Sequence, residues 1–94
     1  MKIEFDPVKN AKNIEDRNIS FEQAIEFDFE SAFIWSDVRY DYRELRFCAL
    51  GYINDRLYSL VFTPRGQVMR VISLRKANQR EVKLYVRKKN TGTN

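Results

Sequence analysis

Glu44-Leu45-Arg46-Phe47-Cys48-Ala49-Leu50-Gly51-Tyr52-Ile53, Leu57-Tyr58-Ser59-Leu60-Val61-Phe62-Thr63 and Val68-Met69-Arg70-Val71-Ile72-Ser73-Leu74 are three β-rich runs in close succession. Only Asn54-Asp55-Arg56, and the turn signal Pro64-Arg65-Gly66 with Gln67, separate them. Connections this short carry turn residues and cannot hold a crossover, so the runs predict an antiparallel meander. In the middle run Tyr58, Leu60 and Phe62 alternate with Leu57 and Val61. It is apolar on both faces, which predicts a central strand in a sheet covered on both sides.

Upstream of the meander, Lys2 to Phe5 alternates like a short strand and ends at Asp6-Pro7. Asp can accept from the free amides of a first helical turn, and Pro loses nothing at the first helical position. Val8, Ala11 and Ile14 then recur at helical spacing, and Asn18 tolerates a left-handed stop. Ser20 with Gln23 forms a capping-box pattern, predicting a second helix to about Phe29. Phe33-Ile34-Trp35 reads as a short strand, and Ser36 to Arg43 as a charged loop with too little apolar content for burial. Ala77 to Lys89 reads as the last helix, and 90–94 as a frayed polar tail. The whole order predicts an α+β domain of one N-terminal strand, two helices, a three- to four-stranded antiparallel meander and a C-terminal helix.

With 94 residues and 44% hydrophobic content, the chain can build one core, so residues 1–94 are read as a single domain. Its one cysteine, Cys48, excludes an internal disulfide and suits a reducing compartment. The start MKIEFDP has no apolar run of a signal peptide, and no stretch is long enough to span a bilayer. Together these predict a cytoplasmic protein without a membrane partner.

Charge is distributed unevenly. Residues 65–89 carry nine Lys and Arg against the single Glu81, whereas residues 1–64 carry eight basic and twelve acidic side chains. Such a dipole attracts and orients a polyanion: RNA, DNA or an acidic protein. Lys76, Arg80, Lys83 and Arg87 fall at steps of four, three and four, which places them on one stripe of the C-terminal helix. Arg70 and Arg75 add planar guanidinium forks suited to phosphate. Strict alternation sends those two to opposite faces, with Arg70 in register with core positions. Glu44 and Arg46 open the first meander run in register with each other, either a surface pair or a base with a phosphate clamp.

Several chemistries lack their residues. Histidine is absent, and the three glycines form no phosphate-cradling loop. Asp37, Asp41 and Glu44 follow no metal-ligand spacing, so neither a metal nor another cofactor is expected. RNA needs neither, because its own 2′-hydroxyl attacks the adjacent phosphate once it is held in line and the developing charge is neutralised. Arg46 and Arg75 are the candidates for that neutralisation, with Lys76, Arg80, Lys83 and Arg87 as further RNA contacts. Glu44, Glu81 or Tyr85 could move protons; Tyr85 could equally anchor the helix.

The assembled segments resemble the BrnT family of toxins from bacterial type II toxin-antitoxin systems. The resemblance runs from residue 3 to residue 86. It rests on Phe5-Asp6-Pro7 with Lys9 and Asn13, on Ile19-Ser20-Phe21-Glu22-Gln23-Ala24, and on Asp37, Arg39, Glu44 and Arg46. It continues through Thr63, the block Arg70 to Ala77, and Glu81 with Tyr85. The chain departs at Arg17-Asn18, where the family commonly has His-Gly, and at Arg43, where it commonly has Gly. The resemblance implies a RelE-like ribonuclease fold, mRNA cleavage that arrests growth, and a cognate BrnA-like antitoxin that binds DNA as a dimer, with the toxin reaching DNA only indirectly through it. Two other readings stay open: a basic nucleic-acid or protein binding module without catalysis, and a degenerate toxin that only binds its antitoxin.

Overall fold

The computed structural model describes residues 2–91, an α+β arrangement built on one five-stranded sheet. The strands are β1 (Lys2–Glu4), β2 (Phe33–Ser36), β3 (Phe47–Ile53), β4 (Arg56–Arg65) and β5 (Val68–Lys76). The helices are α1 (Pro7–Arg17) and α2 (Gln79–Thr91), with a 3-10 helix at Phe21–Glu26. Strand order is β1-β5-β4-β3-β2, so β4 is central, as its two apolar faces require. The sheet is larger than expected, and it is mixed. The short β1 pairs parallel with β5, matching Lys2 to Val68 and Glu4 to Arg70.

Local chemistry fixes the helix ends. Asp6 accepts from the Val8 amide at 2.9 Å, Pro7 opens α1, and Asn18 closes it in the left-handed region at φ 59. Ser20 and Gln23 form the reciprocal capping box. The helix they start is nonetheless a 3-10 turn ending at Glu26 rather than an α-helix reaching Phe29. Phe21, Ala24 and Phe27 recur every third residue and are all buried, a spacing that a helix of three residues per turn places on one side. Helix α2 begins at Gln79 because Asn78 and Glu81 exchange bonds, each side chain accepting from the other's amide at 2.9 Å. Lys76 therefore ends β5 instead of joining the helix. Residues 90 and 91 are helical, not frayed; positions 92–94 of the expected tail lie outside the described residues.

Two cores form, one on each face of the sheet. Ile19, Phe21, Ala24 and Phe27 pack on Ala49, Ile53, Tyr58, Leu60, Met69, Val71 and Leu74. On the opposite face Ala77 and Tyr85 pack on Leu50 and Leu57, with Phe33 and Leu84 beside them. Helix α1 is held differently. Val8 and Ile14 of its apolar stripe face outward, and the helix is tied down by asparagines. Buried Asn13 donates to the Ile19 and Leu74 carbonyls at 3.0 and 2.9 Å, and Asn10 accepts from the Phe21 amide at 2.8 Å.

Three strand boundaries shift from expectation for physical reasons. The strand β3 starts at Phe47, not Glu44. Thr63 donates its hydroxyl to the Leu45 carbonyl at 2.9 Å, and the Asp37 amide donates to the Arg46 carbonyl at 2.7 Å, which fixes Leu45 and Arg46 as part of the preceding loop. The β4–β5 turn is centred on Gly66, at φ 61, and Gln67, so Pro64 and Arg65 belong to β4. Strand β5 runs on to Lys76 through a bulge: Phe62 faces Val71 but Val61 faces Ser73, leaving Ile72 as the extra residue.

Gly51 on β3 lies under the buried Phe27 ring, and a Cβ there would come within 2.5 Å of it. The Gly51→Ala variant is expected to lose about 1–3 kcal/mol of stability through overpacking, checked by urea denaturation.

Candidate functional site

Across the β4–β5 ladder Ser59 faces Arg75 and Thr63 faces Arg70. Ser59 and Thr63 are four residues apart on one strand and share a face, so Arg70 and Arg75 share it too. The bulge at Ile72 reverses the parity that strict alternation demands. On this face Trp35, Cys48, Val61 and Ser73 pair in turn across β2, β3, β4 and β5, forming one transverse row of partly exposed side chains. Arg75 lies on one side of that row and Arg70 on the other.

Helix α2 covers the Arg75 end of the face through Leu84 and Tyr85. The 37–46 loop covers the other end by accepting the Thr63 hydroxyl at Leu45. The row is the floor between them.

Three guanidinium groups on this face meet a carboxylate from another element. Arg75 binds Glu81 of α2 through two bonds of 2.8 and 2.9 Å, Arg70 binds Glu4 of β1 at 3.3 Å, and Arg65 binds Glu44 of the loop at 3.2 Å. Glu44 lies 4.0 Å from Arg46, a looser approach. Arg46 instead lays its guanidinium over the Tyr42 ring, 3.7 Å from the centroid, and its Nε is buried with no hydrogen-bond partner among the described residues. The Arg75 guanidinium beside Glu81 holds that carboxyl below its usual range, so it is ionised at neutral pH. Burial pushes the Cys48 thiol up, and the charges of Asp37, Arg39, Arg46 and Glu81 also act on it.

The remaining sequence candidates divide. Tyr85 is buried, donates its hydroxyl to the Ser31 carbonyl at 2.9 Å and meets Tyr52 edge-on, which is the anchoring role. Lys76 pairs with Tyr58 and thus lies on the opposite face from Arg75. Arg80, Lys83 and Arg87 form an exposed stripe on α2, beside rather than within the face that Glu81 and Tyr85 address. Arg46, Glu44, Arg70, Arg75 and Glu81 are the candidates that the fold brings to one side. Among the described residues no group of three or more Cys, Asp or Glu could hold a metal ion, and no helix is long and apolar enough to cross a membrane.

Three residues take places here that the sequence reading did not assign to them. Asp37 is buried although its loop is polar, accepting two bonds of 2.8 Å from the Arg39 side chain and one of 3.3 Å from the Tyr42 hydroxyl. The Asp37-x-Arg39 spacing was its signal. Cys48 and Trp35 enter the floor through strand register, which periodicity alone leaves open. Arg43 adopts φ 59, so the position where the family commonly carries Gly needs the left-handed backbone, which a β-carbon disfavours by about 1–2 kcal/mol. Asp41 supports the turn by accepting from the Arg43 amide at 3.0 Å.

The Arg39 fork holds the Asp37 carboxyl at about 2, well below the ordinary carboxylate value. A depressed folded-state pKa stabilises the fold above the unfolded value and loses that contribution as pH falls through the folded one. The stability advantage of the native chain over Asp37→Asn is therefore expected to be constant near neutral pH and to shrink between about pH 4 and pH 2, read from urea midpoints across that range.

Comparison with known proteins adds the family. No curated protein matches the chain. The model of the ribonuclease toxin BrnT of type II toxin-antitoxin systems matches residues 5–81, which run from just after β1 to the first turn of α2 and include every residue of the floor and both of its flanking arginines. The chain belongs to the BrnT family of ribonuclease toxins of type II toxin-antitoxin systems.

Proposed function

We propose that this chain cleaves single-stranded mRNA without a metal ion, arrests growth by doing so, and is neutralised by a cognate BrnA-like antitoxin. The observation that carries the reading is the bulge-set placement of Arg70 and Arg75 on either side of one sheet row. Glu81 joins them through its paired bonds to Arg75, and Arg46 comes from the loop whose Leu45 carbonyl takes the Thr63 hydroxyl. A phosphodiester laid along that row meets guanidinium groups from two directions, while the floor itself is nearly uncharged.

In this mechanism the ribose 2′-oxygen attacks the adjacent phosphorus and the bond from phosphorus to the 5′-oxygen breaks. The products end in a 2′,3′-cyclic phosphate and a 5′-hydroxyl. Arg75 and Arg46 neutralise the charge that develops on the non-bridging oxygens, and Arg70 steadies the strand from the other side of the row. Glu81 is ionised and accepts the 2′-hydroxyl proton when the phosphate takes over part of Arg75's fork; water returns a proton to the departing oxygen. Its low basicity limits the rate, and positioning supplies most of the acceleration. Glu44 is the second carboxylate in reach of the strand. The stripe of Arg80, Lys83 and Arg87 draws the RNA backbone toward the site from outside it, and Tyr85 holds α2 in place. The antitoxin silences the enzyme by covering this face with an acidic or amphipathic segment, and contact with DNA comes only through it.

The test is cleavage of a defined single-stranded RNA by purified protein in EDTA, with the product ends analysed. Cyclic-phosphate ends and a loss of about 100-fold or more in rate for Arg75→Ala, at unchanged melting temperature, are expected. Undiminished cleavage by the folded variant removes Arg75 from the site. Loss of activity in EDTA indicates a metal nuclease, and absence of product under all conditions a binding module.

A further inference from the structure

Trp35 heads the transverse row whose other end is Ser73, between Arg70 and Arg75. Its ring stacks on Phe33 at 5.0 Å between centroids and 29° between planes, and the Lys88 ammonium lies 5.6 Å from the Phe33 centroid. Lysine, phenylalanine and tryptophan thus act together on the β2 edge, with Trp35 as the column's last ring. Trp35 keeps 37% of its surface exposed, and Phe33 is the one aromatic ring it meets among the described residues. A buried indole normally finds a partner for its apolar surface; this one is fixed in orientation and left available.

From this we infer that Trp35 is a nucleobase-stacking platform that fixes the register of single-stranded RNA on the sheet. The inference rests on the proposed RNA reading and deepens it. Three strand spacings separate Trp35 from Ser73, roughly 14 Å. The stacked base therefore lies beside the phosphate held at Arg75 and not on the nucleotide being cut. An indole accepts any base, since every base has a π-face, so Trp35 sets position along the strand more than sequence. The Phe33 ring backs the indole and resists its turning with the base, which makes Trp35 a positioning residue for the bond that breaks.

The experiment uses a uniformly 2′-fluoro RNA, which lacks the attacking hydroxyl and reports binding alone. Trp35 is the single tryptophan of the chain, so quenching of intrinsic fluorescence on titration reports its contact directly. An abasic residue is then moved through the RNA one position at a time. One position is expected to weaken binding to the native protein by about ten-fold, the same removal is expected to have no effect in Trp35→Ala, and Trp35→Phe is expected to keep part of the penalty. An abasic penalty that persists in Trp35→Ala, or unaltered affinity of that variant for intact RNA, overturns the proposal. So does absence of quenching in the native protein, which holds even if Trp35→Ala fails to fold. Weakened antitoxin binding with RNA binding intact assigns Trp35 to the protein partner instead and equally overturns it. Binding with the expected abasic pattern but no cutting of ordinary RNA defeats the nuclease reading and leaves the platform standing; cutting without any abasic penalty does the reverse.

Discussion

One inserted residue in β5 governs the geometry of the whole arginine face. Without Ile72 as a bulge, Arg70 and Arg75 would project from opposite sides of the sheet, one into the core beneath α1 and the 3-10 helix. With it, Val71 and Leu74 both enter that core while both arginines leave it. A bulge also increases local twist and bends its strand, and here it sits where Asn13 ties α1 to the Leu74 carbonyl. The polar anchor of the first helix and the placement of the guanidinium groups thus depend on the same irregularity.

The basic character of residues 65–89 is less free than composition suggests. Arg65, Arg70 and Arg75 each have a carboxylate partner drawn from a different element. These pairs tie the loop, β1 and α2 to the two central-sheet strands that carry the arginines. At partly exposed sites such pairs contribute little to stability, so their main effect is to fix where each fork points. Arg46 is the exception: its guanidinium is held by an aromatic ring, an arrangement that leaves its charge less compensated.

Much of this architecture was legible in the residues because its causes are local. Asp6 with Pro7, Asn18, and Ser20 with Gln23 carry their backbone preferences with them, and the alternation of Leu57 to Phe62 needs only a two-sided core. What escaped reading depends on partners far along the chain. Lys2 to Glu4 find β5 across most of the sequence, and nothing in three alternating residues specifies a parallel neighbour. The same holds for Glu44 and Arg46, whose exclusion from β3 follows from a bond by Thr63, and for Lys76, which an Asn78 cap leaves on the strand side of the boundary. The five-residue interval from Arg70 to Arg75 was visible, but the parity change at Ile72 was not. Of the candidate site, the arginines and Glu81 could be named from charge and side-chain chemistry, and anchoring was one of two readings open for Tyr85, decided by its bond to the Ser31 carbonyl; that Trp35 is a neighbour of the arginines could be known only from register.

The parallel pairing of β1 with β5 has a further consequence for how the protein comes into being. A chain emerging from the ribosome makes Ile3 and Phe5 first but cannot bury them against their sheet neighbour until Val68 to Arg70 have followed. The arginine face is likewise incomplete before β5, and Arg75 lacks its oriented partner before Glu81. Synthesis order therefore makes the arginine face the last part of the sheet to be completed, and no partial chain that stops short of α2 carries it in its paired form.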